Sequence, residues 1–364
     1  MTLLAANIPG LTLEESPRDK HWLQLVYEGT DIPDLILMEW GRDARKASAD
    51  GIIAELGAYR PRLKSAKSLL PGLQSVPASE KAGIYPVATY CWGLFYNPAI
   101  LEKAGVKPPV SWSDFTSALP KIKASGAAPI ALGSSTGWPA LSWLSYLDIR
   151  LNGPEAHAGL YSGKRSFGDA SMDKVYETLK EWRDSGWFVP SQPAGSWSDS
   201  LAQVEFGRAA FVLMGTFAIP RFLDPEQVRW MPLPSAGAKK GEIVVSQGFA
   251  LASKAANPEA AMAFADAYVA AGSPGIVADS FRIPVVVSKV EKKAKGDADP
   301  YSLASVKMNE AELLRSEKSL FPQLDRYVQA QEAGDASQAM ARFFSADAPA
   351  SVDDLKAALG AIKL

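Results

Sequence analysis

The chain has 364 residues, 47% of them hydrophobic, with 38 Lys and Arg against 40 Asp and Glu. That is enough apolar material for two packed cores and too much for one, and the balanced charge forms no basic block or stripe of the kind nucleic acid requires. No apolar run approaches the roughly 20 residues of a membrane helix, and the single cysteine, Cys91, excludes a disulfide framework or a cysteine-based zinc site within the chain.

Only two histidines occur, His21 and His157. They leave little for a histidine base or a multi-histidine metal site, so neither metal nor cofactor is expected. The opening "MTLLAANIPG" has no basic region, no long apolar region and no small-residue cleavage site. Either the protein is cytoplasmic or this sequence starts after a removed leader. Flat rings are abundant, with 10 Trp, 11 Tyr and 14 Phe. Most belong in cores or domain interfaces, because rings dominate core burial; the remainder suggest stacking surfaces.

In chain order, "GLTLEES" reads as a strand and His21 to Glu28 as an amphipathic helix. "GTDIPD" is a turn. Leu35 to Met38 is a buried strand that ends in Glu39, Trp40 and Gly41. "ASADGIIAELGAY" reads as a helix and a short element, so the alternation implies a parallel sheet with helices on its faces. Ile84 to Leu94 is extended. "NPAILEKAG" is a short helix capped by Asn97 with Pro98 at its first position. "SWSDFTSALPKIKASG" is a helix with a Ser111–Asp114 capping box, a kink at Pro120 and a stop at Gly126. "APIALG" is a strand running into "GSSTGWP". His157, in "GPEAHAGLY", reads as a loop residue. Asp173 to Ser185 is amphipathic, with Val175, Leu179 and Trp182 on one face. Ala209 to Met214 is a buried strand ending in Gly215, Thr216 and Phe217. "EIVVSQGFALAS" is a strand interrupted by Ser246 and Gln247. A helix capped by Asn257 and stopped by Gly272 follows. "FRIPVVVSK" is extended, and the chain from Tyr301 on is mostly helical.

Several buried strands thus end in loops that hold an aromatic beside a hydrogen-bonding residue. In open parallel sheets ligands sit past the carboxyl ends of strands, which puts Glu39 and Trp40 at a ligand edge.

Five blocks in order carry a resemblance to a known family: "TDIPDLILMEWGRDARKASADGIIAEL", "VATYCWGLFYNPAILEKAGVKPPVSWSDFTSALPKIKASGAAPIALG", "DSGWFVPSQPAGSWSDSLAQVEFGRAAFVLMGTFA", "VVSQGFALASKAANPEAAMAFADAYV" and "FRIPV". They resemble the bacterial extracellular solute-binding proteins of the sugar-binding, maltose-binding-protein-like type, from about Ile32 to Val286. The family's usual first strand and helix precede the segment matching "IPGLTLEES"; here the sequence starts inside what would be that helix, which implies either a processed or incomplete form or a first domain built differently. The family's stacking aromatic appears as Phe217, and its glycine pair as Gln247 and Gly248.

The resemblance implies an α/β, periplasmic-binding-protein-like fold with two lobes, a multi-crossing hinge and a central cleft. Lobe I would be 1–89 plus 247–292 and lobe II 90–246 plus 293–364, with crossings near Thr89–Cys91, Val244–Ser246 and Ser288–Lys295. It implies a receptor of an ABC importer, with a carbohydrate ligand, membrane permease partners, hinge closure and a periplasmic or extracellular, membrane-associated location. A monomer without cofactor or catalysis is expected.

A sugar presents apolar C–H faces to rings and paired hydroxyls to planar polar groups. An unpaired buried hydroxyl costs about 1–3 kcal/mol, so the polar set must match closely. The candidate contacts are Glu39 and Trp40 on the first loop, the adjacent Arg42 and Asp43, Tyr90 and Trp92 flanking a crossing, and Trp138. Trp197 in the polar loop "GSWSDS", Gly215, Thr216 and Phe217 after a buried strand, Ser246 and Gln247 at the second crossing, and Arg282 complete the set. Alternation along the strand sends Cys91 to the other side from Tyr90 and Trp92, as a small buried residue rather than a nucleophile. The alternatives are a receptor for another polar solute, or a carbohydrate-active enzyme (a glycoside hydrolase or lyase). A hydrolase needs two carboxylates roughly 5–10 Å apart, and Glu39 with Asp43 are the available pair.

Overall fold

The computed structural model describes residues 27–29, 33–73, 84–190, 195–277, 281–289, 299 and 301–362. "GLTLEES", His21 and most of the first expected helix lie outside the described residues, as does part of the third expected crossing.

β1 (Leu35–Glu39) buries Ile36 and Met38 and leaves Leu35, Leu37 and Glu39 half-buried. α1 (Arg42–Ala49) starts at once after Trp40 and Gly41, earlier than the sequence suggested. Its buried face is small, Ala44 and Ala47, and Gly51 at φ 69° follows it. Of the stretch "ASADGIIAELGAY" only its start is α-helical; Leu56–Ala58 forms a 3-10 turn, and further 3-10 turns follow at Arg60–Arg62 and Lys64–Ser68. β2 (Ile84–Tyr96) is buried at every position. α2 (Pro98–Lys103) is capped by the Asn97 side chain, which accepts from the amides of Ala99 and Ile100. α3 (Trp112–Ala124) has the Ser111–Asp114 capping box and runs through Pro120.

β3 (Ala128–Leu132) leads to α4 (Trp138–Asn152), buried from Pro139 to Arg150. A helix that is apolar nearly all round is a core element. α5 (Pro154–Tyr161) contains His157, which is therefore helical and buried, not a loop residue. Pro154 starts that helix where the sequence looked like a loop. α6 (Asp173–Asp184) buries Val175, Tyr176, Leu179 and Trp182. β4 (Phe188–Pro190), α7 (Trp197–Glu205), β5 (Ala209–Gly215), β6 (Arg229–Met231) and β7 (Glu242–Leu251) follow. α8 (Pro258–Ala270) has Asn257 before it without a side-chain cap. The Asn257 amides, backbone and side chain, bond to Asp34 instead. β8 (Ile283–Pro284), α9 (Val306–Ser316), β9 (Leu320–Pro322), α10 (Leu324–Tyr327), α11 (Ala330–Phe343) and α12 (Val352–Gly360) complete the described chain.

The chain divides into two compact units. The first comprises Met1–Tyr90, Val245–Lys292 and Leu314–Leu320; the second comprises Cys91–Val244, Lys293–Leu313 and Phe321–Leu364. In the first unit β1 is antiparallel to β7, from Leu35 opposite Leu251 to Glu39 opposite Gln247, and β8 is antiparallel to β2. Asp266 of α8 accepts the amides of Lys64 and Ser65 and the Tyr85 hydroxyl, fastening the 3-10 segment and β2 to that helix.

In the second unit β3 is parallel to β4 and β5, while β5 and β6 are antiparallel to β2. The parallel sheet expected from the alternation is found at β3, β4 and β5, whereas β1 with β7, and β2 with β5, β6 and β8, pair antiparallel. Parallel strands need a crossover connection, and helices lie between β3 and β4 and between β4 and β5. Phe115, Trp143, Trp182, Phe188 and Phe211 pack as one ring cluster in this core, so much of the aromatic excess is core material.

Candidate functional site

In the second unit the C-terminal ends of β3, β4 and β5 share one edge, because the three strands are parallel. The loop after β3 leads to Trp138, the first residue of α4; the segment after β4 leads to Trp197, the first residue of α7; and β5 runs directly into Phe217. Trp92 reaches the same edge from the antiparallel β2, where it pairs with Gly215. Trp197, read from sequence as a loop residue, starts a helix capped by Ser196 and Asp199.

These four rings form one group. Centroids of Trp138 and Trp197 lie 6.2 Å apart, Trp197 and Phe217 5.4 Å, and Trp138 and Phe217 6.4 Å. Trp92 sits edge-on to Trp138 at 5.8 Å and to Phe217 at 6.4 Å. Trp138, Trp197 and Phe217 are half-buried, whereas Trp92 is fully buried behind them. The group offers three ring surfaces on a fourth that supports them. Gly133 permits this closeness: a Cβ there would lie 2.6 Å from the Trp197 Cα. Polar groups border the rings. The Ser135 hydroxyl donates to the Gly195 carbonyl at 2.8 Å, the Ser196 and Ser198 hydroxyls bond at 2.7 Å, and the Arg221 guanidinium lies 5.7 Å from the Trp197 ring centre.

Gly215 and Thr216 are buried. The Thr216 hydroxyl turns inward and donates to Glu310 Oε1 at 2.8 Å, and the Cys91 amide donates to the same oxygen at 2.8 Å. Glu310 is wholly buried, and burial pushes its carboxyl up to about 7 against the lowering effect of those bonds. Burial also pushes the Cys91 thiol well above its usual range, so it is no ready nucleophile.

In the first unit the end of β1 gathers a different set. Glu39 pairs in register with Gln247, the Trp40 amide donates to the Ser246 carbonyl at 2.8 Å, and the Thr89 and Ser246 hydroxyls bond at 2.9 Å. Arg282 lies 3.7 Å from Glu39 and places its guanidinium 5.3 Å from the Tyr90 ring centre. Glu39, Gln247 and Arg282 are half-buried; Trp40, Tyr90 and Ser246 are buried. Arg42 and Asp43 form a 4.0 Å pair on the first turn of α1, with Asp43 exposed.

The structure thus brings Trp92, Trp138, Trp197 and Phe217 together in one unit, and Glu39, Trp40, Tyr90, Ser246, Gln247 and Arg282 together in the other. Sequence reasoning missed Glu310 and Arg221. Glu310 was findable: Val306, Glu310 and Leu314 fall at i, i+4 and i+8, which puts a lone acid on an apolar helix face. Among the described residues no His, Cys, Asp and Glu cluster suits a metal ion, and no helix is long and apolar enough to cross a membrane.

Comparison with known proteins gives a consistent picture. An uncharacterized ABC transporter extracellular-binding protein of Pyrococcus horikoshii is 28% identical over 221 residues, 59% of this chain and 51% of that one. The multiple sugar-binding protein of Streptococcus mutans is 23% identical over 198 residues, 52% of this chain and 46% of that one. The chain spans about half the length of these curated relatives. Among solved structures, the bacterial solute receptor AcbH, which has an exclusive substrate preference for β-D-galactopyranose, superposes with a TM-score of 0.76 at 17% identity. The match covers 93% of this chain and 86% of that one, and shows a shared fold. The sequence profile of the bacterial extracellular solute-binding proteins matches residues 23–273, most of the chain. This chain belongs to the bacterial extracellular solute-binding protein family.

Proposed function

We propose that the protein is the sugar-binding receptor of an ABC importer, and that a mono- or oligosaccharide lies against the ring group of the second unit. The observation that carries this reading is the convergence of Trp138, Trp197 and Phe217, half-buried, at the shared end of three parallel strands. Apolar sugar faces stack on rings, and the hydroxyls at a ring's edge find donors and acceptors in the Ser135, Ser196 and Ser198 rim. In the first unit, taken by itself, Glu39, Gln247 and Arg282 are planar polar groups of the kind that bond hydroxyls. The multiple sugar-binding relative and the galactopyranose-preferring AcbH support a carbohydrate ligand.

The receptor acts as a monomer in the periplasm or outside the cell, releases its ligand unchanged, and passes it to membrane permease subunits. Hinge closure on ligand is part of this reading, since a binding protein signals occupancy by a shift in its conformational equilibrium. A thermal-shift screen tests it. A ligand at a hundredfold excess over its dissociation constant adds about 2.7 kcal/mol of stability. Mono- and oligosaccharides should raise the melting temperature, whereas polyamines and organic acids should not. Product analysis of the incubated sugars should show them intact.

A further inference from the structure

Behind the ring group, Glu310 holds two chain segments at once. Its Oε1 accepts the amide of Cys91, which precedes Trp92, and the hydroxyl of Thr216, which precedes Phe217. The Cys91 thiol lies 3.4 Å from the same oxygen. Its Oε2 is buried and has no hydrogen-bond partner. Cys91, Trp92, Thr216 and Glu310 are all without solvent exposure.

We propose that Glu310 is a positioning residue of the ring site: its carboxyl sets how firmly Trp92 and Phe217 are held and makes ligand affinity depend on its protonation. This inference rests on the sugar-receptor reading. A buried carboxyl bonded through one oxygen only is poised between two forms. Ionised, it makes charge-assisted bonds to the Cys91 amide and the Thr216 hydroxyl, which are shorter and roughly twice as strong as neutral ones. Protonated, it holds both segments more loosely. Burial places the changeover near neutrality, at about 7.

Titratable groups on the neighbouring elements bear on it. Cys91 faces it from β2, and burial keeps that thiol neutral. Lys307 favours the ionised form from the preceding turn of the same helix. Glu242 of β7 acts on Cys91 and is engaged with Tyr146 and Arg150. His157 is occupied with Asp148 at 2.8 Å.

The test has two arms. In ligand-free protein, intrinsic Trp fluorescence followed over about pH 5.5–8.5 should show a transition centred near 7. Glu310→Gln, which keeps an acceptor oxygen but cannot ionise, should abolish it. With a saccharide found in the thermal-shift screen, affinity should rise at least about threefold from about pH 6 to about pH 8. It should be flat in Glu310→Gln. Thr216→Val, which removes one stabilising donor, should move the fluorescence midpoint upward. No transition, a transition or slope that survives in Glu310→Gln, a slope of opposite sign, or an unmoved midpoint in Thr216→Val overturns the inference. The ligand-free arm stands even where no sugar binds, so its failure is distinguishable from failure of the receptor reading.

Discussion

The Thr216 hydroxyl donates to Glu310 Oε1 at 2.8 Å, and that oxygen also takes the Cys91 amide at 2.8 Å. One buried atom therefore ties the end of β5 to the stretch of β2 that carries Trp92. The rings Trp92 and Phe217, distant in the chain, are brought together by the β2–β5 ladder, in which Trp92 pairs with Gly215, and the residues before them share an acceptor as well.

The same carboxyl makes stability depend on pH. Its pKa is raised in the folded state, from 4.5 to about 7. A raised carboxyl contributes stability that is present below the unfolded value and lost as pH rises through the folded value. Glu310→Gln should therefore match the wild type near about pH 4.5 and exceed it by roughly 1–3 kcal/mol at about pH 8. Urea unfolding at the two pH values reads the difference.

Trp92 and Trp197 should separate support from contact. Trp92 has no exposure, and replacing it with alanine should cost about 3–5 kcal/mol of stability in the second unit. Trp197 is half-buried, so Trp197→Ala should cost less than about 2 kcal/mol while weakening saccharide binding markedly. Chemical unfolding together with calorimetric titration gives both numbers for each variant.

Gly133 should prove intolerant although its backbone is ordinary. A Cβ there would stand 2.6 Å from the Trp197 Cα and 2.8 Å from its nitrogen. These are backbone atoms, so a neighbouring rotamer cannot relieve the clash. Gly133→Ala should lose about 1–3 kcal/mol by overpacking. By displacing Trp197 it should also lose about tenfold in affinity, about 1.4 kcal/mol.

Arg150 is buried in α4 and donates to the carbonyls of Leu233, Pro234 and Gly241, with Glu242 3.3 Å away. Arg150→Met leaves three carbonyls and a buried carboxylate without their cation, and should cost about 3–5 kcal/mol. Adding Glu242→Leu should restore part of that loss, because a buried charge left alone is the larger penalty. Thermal melts of the single and double variants measure the coupling.

Much of the fold was legible because it rests on local signals. The Asn97 cap and the Ser111–Asp114 box set helix starts through bonds to residues two or three positions away, and β5 announced itself as an unbroken apolar run. Asn257 looked like the same cap, but Asp34, 223 positions away, takes its amides, and no local pattern reports that. The antiparallel pairing of β1 with β7 was hidden for the same reason. Strand-end aromatics pointed to Trp138 and Phe217, and the polar setting of "GSWSDS" to Trp197, yet their mutual approach depends on the parallel register of β3 with β4 and β5. His157 was misplaced because "GPEAHAGLY" reads as a loop, whereas Pro154 there begins a helix.

The most direct test is calorimetric titration of the protein with a panel of mono- and oligosaccharides, repeated with Trp197→Ala. Stacking on the ring group requires that at least one saccharide bind the unaltered protein and bind the variant at least about tenfold more weakly, a difference of about 1.4 kcal/mol. Folded protein that ignores the whole panel, or a variant that binds as tightly as its parent, would contradict it.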